Sequence, residues 1–334
     1  LRTADSLPAV KDIGLVGLPF SGKSTLFTAL TRAGAAGGQA NQAVVPVPDP
    51  RLSVLTKMER SAKTVAAQVR FVDVPGGTSS AQGIAKLREA EALAVVVRCF
   101  GGNATPAAEL ANVHAELLLA DLAVIDSALE RAEKRAKGKG SAEVDALRRA
   151  HDALSAEIPL REAKLETSDA EHLRGIAPLT MKPFVVVANL EEGTDVPAEL
   201  PGDAVGVYAS IEAETAEMDP GEARALLEEF GVSEPGLDRV IAASYSAIDL
   251  ITFLTTGEDE TRAWEVRRGA KAPEAAGVIH TDLERGFIRA EVIGYEDLVA
   301  AGSMEQAKAA GKIRVEGKDY EVAEGDILHV RFAV

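Results

Sequence analysis

The chain has a single cysteine, Cys99, in 334 residues, which excludes an internal disulfide and suits a reducing compartment. It closes a run of valines at a predicted strand end, where a buried inert thiol is expected. Aromatic residues are scarce, 4% against 46% hydrophobic content, so aliphatic side chains must fill the interior. No apolar run approaches the roughly 18 residues of a membrane span. Leu1 to Asp12 hold no signal-peptide core, so a soluble cytoplasmic protein with no membrane partner is the expectation. Positive charge is short as well: 36 Lys and Arg face 52 Asp and Glu, a net charge of −16. Long-range repulsion of phosphate then excludes loose whole-surface affinity for nucleic acid and leaves local basic patches as candidates, with no DNA partner expected. The histidines show no zinc-ligand spacing.

Residues 13 to 24 read IGLVGLPFSGKS, an apolar strand entering Gly17, Gly22, Lys23 and Ser24 at the spacing of a phosphate-binding P-loop. Glycines there let consecutive backbone N–H groups curl round an anionic phosphate at the positive end of the following helix. The nucleotide-binding stretch is predicted to be Gly17, Pro19, Phe20, Ser21, Gly22, Lys23, Ser24 and Thr25. Lys23 is assigned the β- and γ-phosphates as a catalytic group, and Ser24 a Mg²⁺ ion. A glycine-rich turn before an ordinary helix is the plainer alternative. The flanks argue against it, because Ile13, Leu15 and Val16 form a buried strand and Leu26, Phe27, Ala29 and Leu30 start an amphipathic helix.

Residues 69 to 76, VRFVDVPG, supply a second strand ending in Asp73-x-x-Gly76. Asp73 is the expected second metal ligand. Gly76 is the expected catalytic backbone donor to the γ-phosphate, so that losing that phosphate releases the loop. A third strand, KPFVVVAN, ends in Asn189-Leu190-Glu191-Glu192, where guanine-selective proteins carry Asn-Lys-x-Asp. A carboxylate at the fourth position reads guanine by accepting from its ring N–H and exocyclic amine, whereas adenine presents a lone pair there. Glu192 is one methylene longer than Asp and Leu190 lacks the Lys stem, so adenine and guanine both stay open at this point. Asn189, Leu190, Glu192 and Ser210 are the candidate base-binding residues.

With these motifs in place the chain resembles the YchF or Obg-like ATPases over nearly its whole length. The resemblance is carried by GLVGLPFSGKSTLFTALTRAG, VVPVPDPRL, FVDVPG, VVVRCF, ELLLADL, VANLEE, EPGLDRVI and a C-terminal block from RAWEVRRGAKAPEAAGVIHTDLERGFIRAEVI to GKDYEVAEGDILHVRF. It implies an α/β fold: a P-loop domain with a mostly parallel sheet, an inserted antiparallel helical hairpin and a C-terminal β-grasp (TGS) domain associated with RNA and ribosome contact. Asn189 and Glu192 match the family's Asn-x-x-Glu, which implies ATP, with Mg²⁺, in place of GTP. Three departures bear on hydrolysis. GAAGGQANQA holds no switch Thr, Gly77 offers no side chain to orient water, and GGNATPAAELA lacks the family's mobile His. The expected function is a weakly hydrolysing, ribosome-associating ATPase. A non-hydrolysing nucleotide-gated ribosome-binding factor and a GTP-selective GTPase are the alternatives.

The expected domains are residues 10–104 with 180–258 for the nucleotide, 105–179 for the hairpin and 259–334 for the β-grasp unit. Apolar positions Leu110, Val113, Leu117 and Val124 mark one arm; Val144, Leu147, Leu154, Ile158 and Leu165 mark the other, around His151. Between them RAEKRAKGK carries Arg131, Lys134, Arg135, Lys137 and Lys139, a basic tip suited to RNA or to plain solvation. His114 falls inside the first helical pattern and reads as a helix-face residue, and His172 falls in a polar loop. Trp264 and Phe287 alternate as core-facing strand residues.

Overall fold

The computed structural model describes residues 10–33, 41–74, 77–232 and 235–333. The expectations placed on Gly76 and on the segment 34–40 lie outside them. The chain divides into two units, one from Lys11–Val45 and Arg70–Ala247, the other from Pro46–Val69 and Ile248–Val334.

In chain order the structure opens with β1 (Lys11–Val16), α1 (Lys23–Ala33), β2 (Gln42–Pro46), α2 (Pro50–Glu59), β3 (Thr64–Val65), β4 (Gln68–Asp73), α3 (Ala81–Glu89) and β5 (Ala92–Cys99). Then come α4 (Pro106–Ala136), α5 (Ala142–Ser155), α6 (Thr167–Leu173), β6 (Phe184–Leu190), β7 (Val205–Val207), α7 (Ala209–Thr215), α8 (Pro220–Glu229) and α9 (Leu237–Ala247). The first sheet runs β2-β4-β1-β5-β6-β7. Its β1–β5, β5–β6 and β6–β7 pairs are parallel, with Ile13 opposite Ala92 and Val95 opposite Val186. Such strands are covered on both faces, which is why ALAVVV in β5 is apolar without alternation and fully buried. With β4 on one side of β1 and β5 on the other, the carboxyl end of β1 lies at the sheet's switch point, where α/β proteins form their ligand crevice.

The helical hairpin follows from 3–4 spacing. Leu110, Val113, Leu117, Ile125, Ala128 and Ala132 of α4 are buried, as are Val144, Leu147, Ala150 and Leu154 of α5. Left-handed Lys137 (φ 49°) and Gly138 (φ 77°) end the first arm, and Ser141 caps the second by accepting from Val144 N–H at 3.2 Å. The second arm stops at Ser155, short of the expected Ile158 and Leu165, because left-handed Glu157 (φ 60°) and then Pro159 turn the chain away. Ile158 is left 42% exposed. His172 lies in α6, not in a loop; a capping box between Glu166 and Asp169 starts that helix. His151 faces Asp126 across the hairpin, with nitrogen and oxygen 3.0 Å apart.

Asp121, wholly buried on α4, accepts from Leu179 N–H (2.9 Å), Thr180 N–H (2.7 Å), the Thr180 hydroxyl (2.7 Å) and the Arg88 guanidinium (2.7 Å). A buried carboxylate is tolerable only when satisfied in this way, and the network fixes α4 to α3 and to the approach of β6.

The second unit contains α2 and β3 together with β8 (Leu250–Thr255), β9 (Thr261–Arg267), α10 (Ala272–Ile279), α11 (Thr281–Arg285), β10 (Phe287–Gly294), α12 (Tyr295–Ala301), α13 (Met304–Ala309), β11 (Arg314–Glu316) and β12 (Asp326–Phe332). Its mixed sheet runs β11-β10-β12-β8-β9-β3. Trp264 and Phe287 are buried beside Phe253, Val292 and the small residues of α10. This division departs from the expected boundaries, because residues 46–69 and 248–258 join the C-terminal unit. β3 pairs parallel to β9, with Thr64 opposite Thr261, and Arg51 bonds both Asp49 (2.7 Å) and Glu324 (2.6 Å). Among the described residues no helix is long and apolar enough to cross a membrane.

Candidate nucleotide-binding site

The loop between β1 and α1 closes on itself, Ser21 N–H donating to the Leu18 carbonyl at 3.2 Å, and it turns into α1 through Gly22. Two constraints make Gly22 irreplaceable. Its φ of +84° is left-handed, and a Cβ built there would stand 2.0 Å from the Asn189 amide nitrogen. At Gly17 a Cβ would stand 2.6 Å from the Ser21 hydroxyl and 2.7 Å from the Val96 carbonyl. The first N–H groups of α1 have no intrahelical partner, so the loop and helix start present a concave set of donors at a positive dipole end. Phe20, left-handed at φ 67°, projects outward and is 88% exposed.

A cavity of about 630 Å³ follows this loop, lined by Gly17 through Thr25, by Gly77, Thr78 and Ser79, and by Phe100 and Glu116. A second, of about 420 Å³, is lined by Gly22, Thr25, Phe100, Gly101, Asn189 to Glu192 and Ser210. The two share Gly22, Thr25 and Phe100. The P-loop residues and the candidate base residues therefore lie at the two ends of one cleft.

Asn189, 5% exposed at the end of β6, ties those ends together. Its Nδ2 donates to the Ser21 carbonyl at 3.1 Å and its Oδ1 accepts from Ala209 N–H at 3.3 Å, which leaves the second amide proton for a ligand acceptor. Ser210 is exposed at the start of α7, and Glu192 is half-buried in the base cavity. Glu191 also lines it, accepting from Gly101 N–H at 3.3 Å. Leu190 departs from its expected place. Its side chain is buried in the core cluster and packs on Gly206, while the residue still lines the base cavity.

Lys23, the first residue of α1, donates from Nζ to Asp73 Oδ1 at the end of β4. Both side chains are mostly buried, and Asp73 borders a separate pocket of about 320 Å³ with Asn41 and Gln82. Ser24 is exposed in the P-loop cavity. A serine hydroxyl beside a lysine that is paired with a carboxylate offers hard oxygens of the kind Mg²⁺ takes when phosphates and water complete its shell. The described residues hold no cluster of three or more His, Cys, Asp or Glu that would bind a metal unaided. The residues present therefore fit a metal that arrives with phosphate.

Several cavity residues were not anticipated, among them Phe100, Thr78 and Glu116. Phe100 follows β5 directly, where a strand end could have suggested it. Glu116 comes from α4, and no motif spacing points to it. The Thr78 hydroxyl donates to Glu116 Oε2, which joins the loop after Asp73 to the hairpin helix.

His114 lies elsewhere, in a groove of about 620 Å³ with Leu118, Leu119 and Leu122. Its ring meets the Phe184 edge at 5.1 Å, and burial followed by the charge of Arg161 lowers its pKa. Cys99 is half-buried, and burial pushes its thiol up to about 11, the state of an unreactive cysteine.

Residues 12–127 match the family described as 50S ribosome-binding GTPase, and residues 250–333 match the YchF-GTPase C-terminal family, described as a protein of unknown function. A ribosome-binding ATPase YchF from Bacillus subtilis (strain 168) is 39% identical over 361 positions, covering 96% of this chain and 99% of that protein. The chain belongs to the YchF family. A YchF of the same description from Escherichia coli O157:H7 is 38% identical over 358 positions, with the same coverage. The solved structure of the Schizosaccharomyces pombe YchF GTPase superimposes with a TM-score of 0.85 at 28% identity, covering 99% of both chains. Alignments of 361 and 358 positions exceed the 334 residues here, so these YchF proteins carry segments with no counterpart in this chain.

Proposed function

We propose that this protein binds Mg·ATP in the cleft between the P-loop and Asn189, hydrolyses it slowly, and associates with the ribosome in a nucleotide-dependent way. The observation that carries this reading is the continuity of the cleft, with Gly22 in contact with Asn189 at its middle, so that phosphate and base sites are held at a fixed spacing. Lys23 and the N–H groups of Gly22 to Thr25 take the phosphates, Ser24 and Asp73 the metal, and Gly76 the γ-phosphate. Asn189 and the backbone at Leu190 take the base, beside Glu192 and Ser210. Lys23 must leave Asp73 to reach a phosphate, so ligand binding and the rearrangement of the β4 end are one event. When bound, the metal neutralises phosphate charge. Adenine is favoured because Glu192 carries one methylene more than the Asp that reads guanine, and Leu190 is turned into the core.

For the ribosome, support comes from the names of the relatives and from two exposed basic regions. Arg131, Lys137 and Lys139 are exposed at the hairpin tip, while Lys134 and Arg135 there pair with Glu130 (3.7 Å) and Glu143 (2.6 Å). In the C-terminal unit Arg267, Arg285 and Arg289 are exposed. A binding factor that does not hydrolyse is the second reading, and Gly77, which offers no side chain to the phosphate cavity, favours it.

Titration with fluorescent ATP and GTP, with and without Mg²⁺, tests the proposal. ATP should bind more tightly than GTP, and Lys23→Ala should weaken ATP by about 10- to 100-fold through loss of charged hydrogen bonds. Equal affinity for both nucleotides would remove the adenine assignment, and no binding would remove the function.

A further inference from the structure

Among the described residues, the phosphate cavity holds one side-chain carboxylate, that of Glu116 on the hairpin helix, and the P-loop and switch motifs do not account for it. We propose that Glu116 orients and deprotonates the water that attacks the γ-phosphate, an inference that rests on the ATP reading above. Four observations lead to it.

Glu116 lines the same cavity as Lys23, Ser24 and residues 77–79. Those three residues directly follow Gly76, whose place in the motif is beside the γ-phosphate. Its Oε2 accepts from the Thr78 hydroxyl, while Oε1 has no bond among the described residues. One oxygen is thus anchored and the other is available to a water. Val113 and Leu117, which flank it on α4, are buried in the core of the first sheet, so the helix cannot turn the carboxylate away. Among the described residues, the other groups near this end of the cleft cannot serve as the base. Gly77 has no side chain, His114 lies in a different groove, and Asp73, which Lys23 gives up on reaching phosphate, borders a separate pocket and is assigned the metal.

In the step, the water oxygen forms a bond to the γ-phosphorus while the bond from that phosphorus to the β–γ bridging oxygen breaks. ADP leaves with that electron pair, and the water proton passes to Glu116 Oε1, which later returns it to phosphate or solvent. A carboxylate can take this role, as the catalytic-loop Asp of protein kinases does when it accepts the proton of a substrate hydroxyl.

Single-turnover hydrolysis of γ-labelled ATP, with excess protein and Mg²⁺, and ATP affinity measured beside it, test the assignment. Glu116→Gln, which keeps the shape, should slow hydrolysis about 100-fold, within the range of a general base. ATP affinity should stay the same or tighten, because a negative charge beside the phosphates has gone. Glu116→Asp should recover part of the rate, and Thr78→Val should cost less than about tenfold. Glu116→Gln hydrolysing within about threefold of wild type, or binding ATP more weakly, would overturn the assignment. So would Thr78→Val matching its full loss, which would reduce Glu116 to a tether for the loop. A wild type that binds ATP and shows no turnover would instead overturn the hydrolytic reading itself, and this inference with it.

Discussion

Asn189 serves the site with a single amide. One proton holds the Ser21 carbonyl, the oxygen holds Ala209 N–H, and one proton remains for the base proposed to bind there. The same crowding that forces glycine at position 22 makes Asn189 the joint between P-loop and base site. Asn189→Ala should therefore do two things at once. It leaves buried backbone groups unpaired, costing about 1–3 kcal/mol in urea unfolding, and it weakens ATP binding more than an exposed substitution such as Ser210→Ala. Unchanged unfolding with weakened binding would mean that the amide contacts only the ligand. At this scale the sequence is readable where one side chain acts through its neighbours in the chain. Gly17, Gly22, Lys23 and Ser24 are legible because the P-loop is a local turn. Glu116 is not, because its meaning comes from which helix packs beside the loop after Asp73. The direction of Leu190 depends likewise on Gly206, a residue of the neighbouring strand.

α4 is the element that joins the hairpin to the chemistry. It carries Asp121, which locks the hairpin to α3 and to residues 179–180, and Glu116, which enters the phosphate cavity. It also carries His114 on a half-buried face, with Phe184 and Arg161 near by. Burial lowers the folded pKa of His114 below the ordinary 6.5, so the unfolded chain takes up its proton first as pH falls. Its contribution to stability is complete above pH 6.5 and declines as pH drops below that value. Urea midpoints of wild type should accordingly fall more steeply from pH 6.5 to about 5 than those of His114→Gln. Parallel curves would show that His114 takes no part in the acid response. Helix periodicity disclosed both arms of the hairpin. The end of the second arm was hidden, since Ile158 and Leu165 continue the apolar spacing while Glu157 takes a left-handed turn and Pro159 ends the run. Periodicity records what a helix would bury and carries no information on where the backbone leaves it.

Over the whole molecule, strands alternating with helices foretold a P-loop sheet followed by a separate C-terminal unit. The assignment of residues 46–69 to that unit was not foretold. It depends on pairing of β3 with β9 and on the contact of Arg51 with Glu324, both between residues nearly two hundred positions or more apart. Long-range pairing of a two-residue strand leaves no local pattern. Net charge of −16 works against loose electrostatic attachment to nucleic acid over the whole surface, so any ribosome contact has to be local.

The central claim is that nucleotide in the cleft governs ribosome association. Co-sedimentation with purified ribosomes, comparing a non-hydrolysable ATP analogue with ADP and wild type with Lys23→Ala, tests it most directly. The two nucleotide states should differ in ribosome affinity by about 5- to 150-fold, the usual range of coupling between sites. Lys23→Ala should abolish the difference. Equal association in both nucleotide states, unchanged by Lys23→Ala, would contradict the claim.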